Sequence, residues 1–244
     1  MKTYGLIGYP LTHSFSKKYF EEKFRNEGIE DHTYHLYPLP FVESFLPFLG
    51  TNPGLQGLNV TIPYKETVIE FLNELDPSAK AIGAVNCIKI TDGYLKGYNT
   101  DAPAFEQSLR PFLTSTPDIA FVLGTGGSAR AVCYVLKNMG IKYFRVSRQL
   151  GDDRIDYSEI GKRMKGSNLF VNTTPQGMFP NVDEMPDIPY AKLTNKDFLF
   201  DLIYNPDETA FLRRGKEHGA QTINGIEMLH LQAEKSWTIW NSAD

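Results

Sequence analysis

Cysteine is scarce in this chain. Cys87 and Cys133 are the only two, they lie far apart, and each is in an apolar run. This pattern offers no disulfide framework and predicts a reduced, cytoplasmic protein with buried thiols. The patterns CxxC and HExxH are also absent. We therefore expect no metal site.

Long apolar runs and a large excess of one charge are lacking too. No run approaches the ~20 residues of a membrane-spanning helix, and no signal-peptide pattern precedes the first strand-like segment. The 25 basic and 29 acidic residues leave a net charge of −4. We therefore expect neither nucleic acid nor a membrane as partner. The sequence leaves open whether the protein is a monomer or a homodimer.

The 244 residues suffice for one large domain or two modest ones. Strand-like and helix-like segments alternate throughout, which predicts an α/β fold with largely parallel sheets. Asp92-Gly93 between two apolar runs predicts a hairpin, so the first sheet should be mixed. We place a domain boundary within residues 100–118, where the chain is punctuated by Thr114-Ser115-Thr116-Pro117-Asp118.

The segment Asn59-Val60-Thr61-Ile62-Pro63-Tyr64-Lys65 has the pattern of a strand that ends in polar groups. Alternation along a strand over 58–62 places Asn59 and Thr61 on one face and Val60 and Ile62 on the other. The apolar spacing that follows predicts a helix over 64–75, with Lys65 at its start. An amide, a hydroxyl and an amine would then meet at a sheet edge where small ligands bind.

A second informative loop, Gly124-Thr125-Gly126-Gly127-Ser128-Ala129, fits the pattern GxGxx(G/A) between a strand and a helix. Gly124 permits a tight turn, and Gly126 lets backbone N–H groups approach a pyrophosphate at the helix N-terminus. Ala129 lets the helix pack close to the sheet. The loop therefore predicts a dinucleotide site, and the alternative is an ordinary glycine-rich turn.

The strands that follow this loop also end in polar residues. The first ends in Ser147-Arg148, where a site for NAD usually has an acidic residue. The Arg148 guanidinium could hold a 2′-phosphate through two hydrogen bonds, which favours NADP; a solvated arginine is the alternative. Asn172 and Thr173 end a later strand and could line the cofactor groove or cap local turns.

Six motifs in order resemble those of the shikimate dehydrogenase family and cover nearly the whole chain. They are Gly8–Ser16 (GxPxxHSxS), Asn59–Lys65 (NVT[IV]P[FY]K), Gly83–Asn86 (GAVN), Asn99–Asp101 (NTD), Asn172–Met178 ([NA][TA][ST]xxGM) and Gly225–Gln232 (GxxMLxxQ).

The resemblance implies two α/β domains with a cleft between them. Residues 1–102 and 226–244 would form a substrate domain with a mixed, mainly parallel sheet, and residues 103–225 a Rossmann-like domain that binds NADP. The family reaction is the reversible reduction of 3-dehydroshikimate to shikimate, a step towards aromatic amino acids.

The resemblance also implies roles for single residues. Lys65, as general acid and base, and Asp101 would act at the carbon that exchanges hydride. His13 could orient the serine loop or be catalytic itself. The substrate carboxylate would be bound by Ser14, Ser16 and Tyr204, and the ring hydroxyls by Asn59, Thr61, Asn86 and Gln232. The cofactor would be bound by Gly124, Gly126, Gly127, Ser128, Ala129, Ser147, Arg148, Asn172, Thr173 and Gly225.

The chain departs from the family pattern in a few places. Lys17, Ala102 and Gln149 stand where proline, glycine and threonine are usual. The usual second arginine, three positions after Arg148, is missing, and the later Arg154 could substitute for it. These departures keep NAD open beside NADP. The rival functions are a quinate/shikimate dehydrogenase that uses NAD, a catalytically silent shikimate-sensing homologue, and another two-domain dehydrogenase such as one acting on folates.

Overall fold

The structure is a computed structural model that describes residues 1–11, 14–149, 151 and 153–242, so His13 lies outside the described residues. The chain forms two compact units. The first comprises Met1–Thr100 and the chain from Ala233 onward, and the second comprises Asp101–Gln232. The assignment of substrate to residues 1–102 and 226–244 and of NADP to residues 103–225 stays a prediction.

The first unit is built on a mixed six-stranded sheet. Its strands are β1 (Lys2–Gly8), β2 (His32–Pro38), β3 (Leu55–Val60), β4 (Glu74–Leu75), β5 (Cys87–Thr91) and β6 (Tyr94–Tyr98), in the order β2-β1-β3-β5-β6-β4. Strand β1 runs parallel to β2 and β3, whereas β5 is antiparallel to β3 and β6. The predicted hairpin is confirmed. Asp92 and Gly93 have φ values of 51° and 80°, as a two-residue turn of this type requires.

Helices α1 (Phe15–Asn26), α2 (Phe45–Thr51) and α3 (Pro77–Ile82) accompany this sheet, with 3₁₀ turns at Val42–Ser44 and Thr67–Phe71. The end of the C-terminal helix also packs on it. The Trp240 Nε1 donates to the Ile88 carbonyl at 3.0 Å. A Cβ at Gly57 would lie 2.3 Å from the Trp240 ring, so the indole approaches the strand backbone closely.

Two expectations for the segment after β3 are wrong. The strand ends at Val60, which is 2% exposed, whereas Ile62 is 64% exposed and does not continue the apolar face. The predicted helix over 64–75 is replaced by a 3₁₀ turn, by β4 and then by α3. The helix begins instead at Pro77, because the Asp76 carboxylate caps it by accepting from the Ser78 N–H at 2.9 Å.

The second unit contains a six-stranded sheet of parallel strands. Its strands are β7 (Ile119–Leu123), β8 (Tyr143–Val146), β9 (Arg154–Ile155), β10 (Asn168–Asn172), β11 (Phe198–Asp201) and β12 (Gln221–Ile223), in the order β12-β11-β10-β7-β8-β9. The strand order runs outward in both directions from the neighbouring strands β7 and β10, as in the Rossmann fold. The predicted α/β fold is therefore confirmed.

The helices of this unit are α4 (Asp101–Phe112), α5 (Gly127–Asn138), α6 (Tyr157–Arg163) and α7 (Ala210–Glu217), with a 3₁₀ turn at Tyr190–Lys192; α8 (Ile226–Asn241) runs on into the first unit. The central strands β7 and β10 are buried along their whole length, as parallel strands covered on both faces must be. The rings of Phe121 and Phe170 stack with centroids 5.1 Å apart. Both strands therefore end at the switch point of the sheet, where ligands bind in such folds.

Candidate active site

The predicted serine pair follows β1 in the first unit. Ser14 directly precedes α1 in an extended conformation, yet its side chain does not cap the helix. Its Oγ is buried and has no hydrogen-bond partner among the described residues. A buried hydroxyl left in this way costs about 1–3 kcal/mol. The Ser14 hydroxyl is therefore suited to donate to an acceptor on a ligand, such as a carboxylate.

The Asn59 amide is buried within the protein. Asn59 is 4% exposed. Its Oδ1 accepts from the Tyr34 hydroxyl at 2.8 Å, and its Nδ2 donates to the Ser236 Oγ at 2.9 Å and to the Asn86 carbonyl at 3.3 Å. Both amide hydrogens are thus used within the unit, and a single lone pair on Oδ1 remains for a ligand.

Asn86 belongs to the same buried group of polar side chains. Its Nδ2 donates to the Thr100 Oγ1 at 2.9 Å, and its Oδ1 accepts from the Thr100 N–H at 2.6 Å. The Ser236 Oγ lies 3.4 Å from the Thr100 Oγ1. Ser236 therefore links Asn59 to the Asn86–Thr100 pair, and the orientation of Asn86 is set by its neighbours.

Tyr34 and Ser236 were not predicted from the sequence. Tyr34 is 2% exposed on β2, and burial raises the pKa of its hydroxyl well above the ordinary value. Ser236 is 0% exposed on α8. It lies four residues after Gln232, which places the two on the same helix face. That spacing is the signal that could have identified Ser236.

We expect Ser236→Ala to raise KM for the expected substrate by roughly tenfold with little change in kcat, because Asn59 loses an acceptor and Thr100, which holds Asn86, loses a neighbouring hydroxyl. Ser108 is the matched control. It is equally buried, and its hydroxyl donates only to the Ala104 carbonyl of its own helix at 3.0 Å. Steady-state kinetics of both alanine variants would check this. Equal KM values in the two would contradict a positioning role for Ser236.

Thr61 and Lys65 lie in the turn that follows β3. The Thr61 N–H donates to the Ile7 carbonyl at 2.9 Å, which continues the pairing with β1 beyond the last residue of β3. Lys65 is half-buried, and its carbonyl accepts from the Val85 N–H at 2.7 Å. The backbone of Lys65 is thus held by a loop contact rather than by the start of a helix, which corrects the expectation above.

Three of the residues predicted to act on the substrate lie in the second unit. Asp101 is 5% exposed and is the first residue of α4, so its carboxylate stands at the positive end of the helix. Tyr204 follows β11 and is half-buried. The Gln232 Nε2 donates to the Leu229 carbonyl one turn earlier in α8 at 2.9 Å.

The glycine loop joins β7 to α5 and fits a pyrophosphate. Gly124 has a φ of +117°, and a Cβ there would lie 2.5 Å from the Thr173 Oγ1. A Cβ at Gly126 would meet no atom within 4 Å, and no side chain caps the first turn of α5. Gly127 and Ser128 begin that turn, so their N–H groups stand at the positive end of the helix. Ala129 is buried against the sheet, as expected.

Asn172 holds the loop that follows β10. Its Nδ2 donates to the Asp201 Oδ1 at 3.0 Å and to the Gln176 carbonyl at 3.2 Å. Its Oδ1 accepts from the N–H and the hydroxyl of Thr174, at 3.0 and 2.7 Å. All four hydrogen-bonding capacities are used. These bonds fit the turn-capping alternative and make any role towards a cofactor an indirect one.

Thr173 and Gly225 brace neighbouring loops. The Thr173 Oγ1 donates to the Leu123 carbonyl at 2.6 Å, beside Gly124. Gly225 directly precedes α8, and a Cβ there would lie 2.2 Å from the Leu202 carbonyl oxygen. The close packing of two backbone segments thus accounts for glycine at this position.

Asp201, which the sequence did not single out, lies at the end of β11 and is 0% exposed. Its carboxylate accepts from the Thr209 hydroxyl at 2.6 Å, and from Asn172 and the Ile203 N–H at 3.0 Å each. Burial raises its pKa from 3.8 to about 7, against the effect of these donors. The carboxyl group therefore ties the loop after β10 to the loop after β11.

The raised pKa of Asp201 predicts a pH-dependent stability. Protonated Asp201 stabilises the fold, because the folded-state pKa is above the ordinary 3.8. This contribution to the free energy of unfolding is fully present below about pH 4 and is lost as the pH rises to about 7. Asp201→Asn resembles the protonated acid and should remove this dependence. Urea unfolding at pH 5 and pH 8 would check it, with a difference of at most ~1.4 kcal/mol per pH unit. An equal change in the free energy of unfolding between pH 5 and pH 8 in the two proteins would count against this interpretation.

The predicted 2′-phosphate residues, Ser147 and Arg148, directly follow β8. Arg148 is exposed and lines a cavity of about 690 Å³ together with Tyr157 and Gln176. The Ser147 Oγ accepts from the Gln149 N–H at 3.1 Å. The later arginine, Arg154, forms an ion pair with Asp153 at 3.2 Å, so its guanidinium already has an anionic partner. Arg145 also pairs with Asp153 and donates to the Thr125 carbonyl of the glycine loop at 3.3 Å.

Two general features bear on other kinds of site. Across residues 1–11, 14–149, 151 and 153–242, no group of three or more His, Cys, Asp or Glu residues is arranged to hold a metal ion. Within the same ranges, no helix is long and apolar enough to cross a membrane. Cys87 and Cys133 are free thiols, and burial raises their pKa values to about 12 and about 11.

Comparisons with known proteins show the family to which the chain belongs. The family model described as the shikimate dehydrogenase substrate binding domain matches residues 6–88. A protein named Shikimate dehydrogenase (NADP(+)) from Clostridium beijerinckii is 40% identical over 98% of this chain and 92% of its own length.

Two solved structures extend the likeness to the whole fold. The chorismate mutase/shikimate 5-dehydrogenase fusion protein from Clostridium acetobutylicum is 37% identical, with a TM-score of 0.87 over 100% of this chain and 92% of that one. Shikimate 5-dehydrogenase from Thermus thermophilus, solved with NADP(H) and shikimate, is 27% identical, with a TM-score of 0.86 over 99% of this chain and 94% of that one. The chain therefore belongs to the shikimate dehydrogenase family.

Proposed function

We propose that this chain catalyses the reversible NADPH-dependent reduction of 3-dehydroshikimate to shikimate, a step towards aromatic amino acids. The observation that carries this proposal is the similarity, over nearly the whole chain, to a protein named Shikimate dehydrogenase (NADP(+)), with 40% identity over 98% of the chain. Two features of the structure support it. The buried Ser14 hydroxyl can donate to a carboxylate, and the glycine loop can accommodate a pyrophosphate.

The substrate carboxylate is bound by hydroxyl groups in this proposal. Ser14 donates its unpartnered hydroxyl, with Ser16 and Tyr204 as further donors. No arginine takes part, so we expect moderate rather than extreme substrate affinity. The ring hydroxyls are bound by Thr61, Asn86 and Gln232, while Asn59 acts mainly by orienting its neighbours.

Lys65 and Asp101 act at the carbon that exchanges hydride. Bound NADPH supplies the hydride. As the substrate oxygen gains negative charge, the Lys65 ammonium donates a proton to it. In the reverse direction a neutral Lys65 removes that proton.

The cofactor is held by the second unit. The N–H groups at the start of α5 bind its pyrophosphate, and Gly124 and Gly126 keep the approach free of side chains. Arg148 and Ser147 bind the 2′-phosphate. Supporting roles fall to Gly127, Ser128, Ala129, Asn172, Thr173 and Gly225.

The rival functions are separated by one crossed experiment. Shikimate and quinate are each assayed with NADP and with NAD, and kcat/KM should be highest for shikimate with NADP. A higher value for quinate with NAD would favour the quinate/shikimate enzyme. Tight binding of shikimate without turnover would identify a silent homologue. We also propose a cytoplasmic location, where the two buried thiols stay reduced.

A further inference from the structure

We propose that the second unit carries another binding site, for a small organic anion with an apolar body, on the amino-terminal edge of its sheet. A cavity of about 700 Å³ opens there. Ile119 and Tyr143 line it and are the first residues of β7 and β8. The glycine loop follows the other end of β7, so this cavity is separate from the proposed pyrophosphate site.

The rim of the cavity is cationic in a protein whose net charge is −4. Among the described residues, no aspartate or glutamate lines it. Glu159 pairs with one residue of the rim, Arg163, at 3.1 Å, and the Asp118 Oδ2 accepts from the Ser167 N–H at 3.0 Å. The cations of the rim are Lys137, Lys142, Lys162, Arg163 and Lys165.

The four lysines of the rim form no ion pair within the part of the chain that the structure describes. Elsewhere lysines do have carboxylate partners, as Lys96 has Glu74 at 2.7 Å. Positive charges around one cavity raise the local electrostatic potential and repel one another, and a bound anion would reduce this repulsion.

Helix ends explain only part of this charge. Lys137 and Lys162 lie in the last turns of α5 and α6, where a cation complements the helix dipole. Lys142 and Lys165 lie outside any helix. Lys165 is placed by its backbone, since its N–H donates to the Asn168 Oδ1 at 2.8 Å. The helix dipole therefore does not account for these two lysines, whereas an anion-binding site would.

The floor of the cavity is apolar and selects the body of the ligand. Ile141 is 4% exposed, and Phe144 and Met164 pack against the core of the unit. The Arg163 guanidinium lies over the Phe144 ring, 4.7 Å from its centroid, which fixes one cation beside the floor. An aromatic ring on this floor would place a phosphate or carboxylate among the lysines, and a cavity of this size holds such a molecule.

The test uses 1-naphthyl phosphate as probe on the enzyme saturated with NADP, so that the glycine loop is occupied. Amide chemical shifts followed by NMR should change at 137–144 and 162–165. Pyrophosphate lacks the aromatic ring, and 1-naphthol lacks the negative charge. Each should bind at least roughly tenfold more weakly than 1-naphthyl phosphate. The arm with 1-naphthoate separates a phosphate from a carboxylate site.

The double variant Lys142→Glu/Lys165→Glu should weaken binding of 1-naphthyl phosphate by roughly tenfold or more, because like charges then meet. The matched control Lys18→Glu/Lys80→Glu makes the same change in net charge on the first unit and should stay within about twofold. Equal weakening in both double variants, or shifts confined to other parts of the chain, would overturn the proposal. Melting temperatures of all variants establish that they are folded.

Discussion

Replacing Lys65 with methionine is expected to lower kcat by ~10²–10⁴-fold, because the substrate oxygen then loses its proton donor. The fold should survive the change. Lys65 is half-buried in a loop, and its backbone carbonyl, which accepts from the Val85 N–H, keeps this contact in the variant. The measurement is kcat and KM in the direction of 3-dehydroshikimate reduction, together with the melting temperature.

Lys80→Met is the matched control for this variant. Lys80 is exposed on α3 and is not part of any of the predicted motifs. Its kcat should stay within about twofold of the wild-type value, since surface substitutions change little. A folded Lys65→Met protein with near-normal kcat would rule out the proton-transfer role.

Replacing Arg148 with aspartate is expected to reverse the cofactor preference. Hydrogen bonds to a charged group contribute about 1.5–3 kcal/mol, so kcat/KM with NADP should fall by roughly 10–100-fold. An aspartate would accept from the 2′-hydroxyl of NAD, as acidic residues do at this position in many NAD sites. Therefore kcat/KM with NAD should stay level or rise. The measurement is the ratio of kcat/KM for the two cofactors.

Arg154→Gln serves as control for this change, because the Arg154 guanidinium already pairs with Asp153. Its effect on the cofactor ratio should be much smaller than that of Arg148→Asp. If the ratio were unchanged in Arg148→Asp, the 2′-phosphate role would be refuted. If it changed only in Arg154→Gln, the later arginine would be the one that replaces the usual second arginine of the family.

The sequence predicted those parts of the fold that depend on local chemistry. Asp92-Gly93 specifies its turn without help from distant residues, and the glycine loop specifies a strand-to-helix turn. The helix predicted over 64–75 was wrong because apolar spacing alone cannot distinguish a helix from a 3₁₀ turn followed by a short strand. The capping signal of Asp76 and Pro77 marked the true start of α3.

The site was predictable where a motif carries it and not where tertiary contacts do. Ser14 and Lys65 lie within motifs, so their positions could be read from the sequence. Tyr34 and Ser236 contact Asn59 across 25 and 177 residues of chain. Such partners depend on the register of β2 and on where α8 returns, and neither is encoded locally.

The most direct test of the proposed function is the absorbance of reduced nicotinamide when the purified protein is mixed with shikimate and NADP. We predict a rise that depends on both compounds and reverses when 3-dehydroshikimate is added. No rise from a folded protein whose melting temperature increases with shikimate would contradict the proposed enzyme and favour a silent shikimate-sensing homologue.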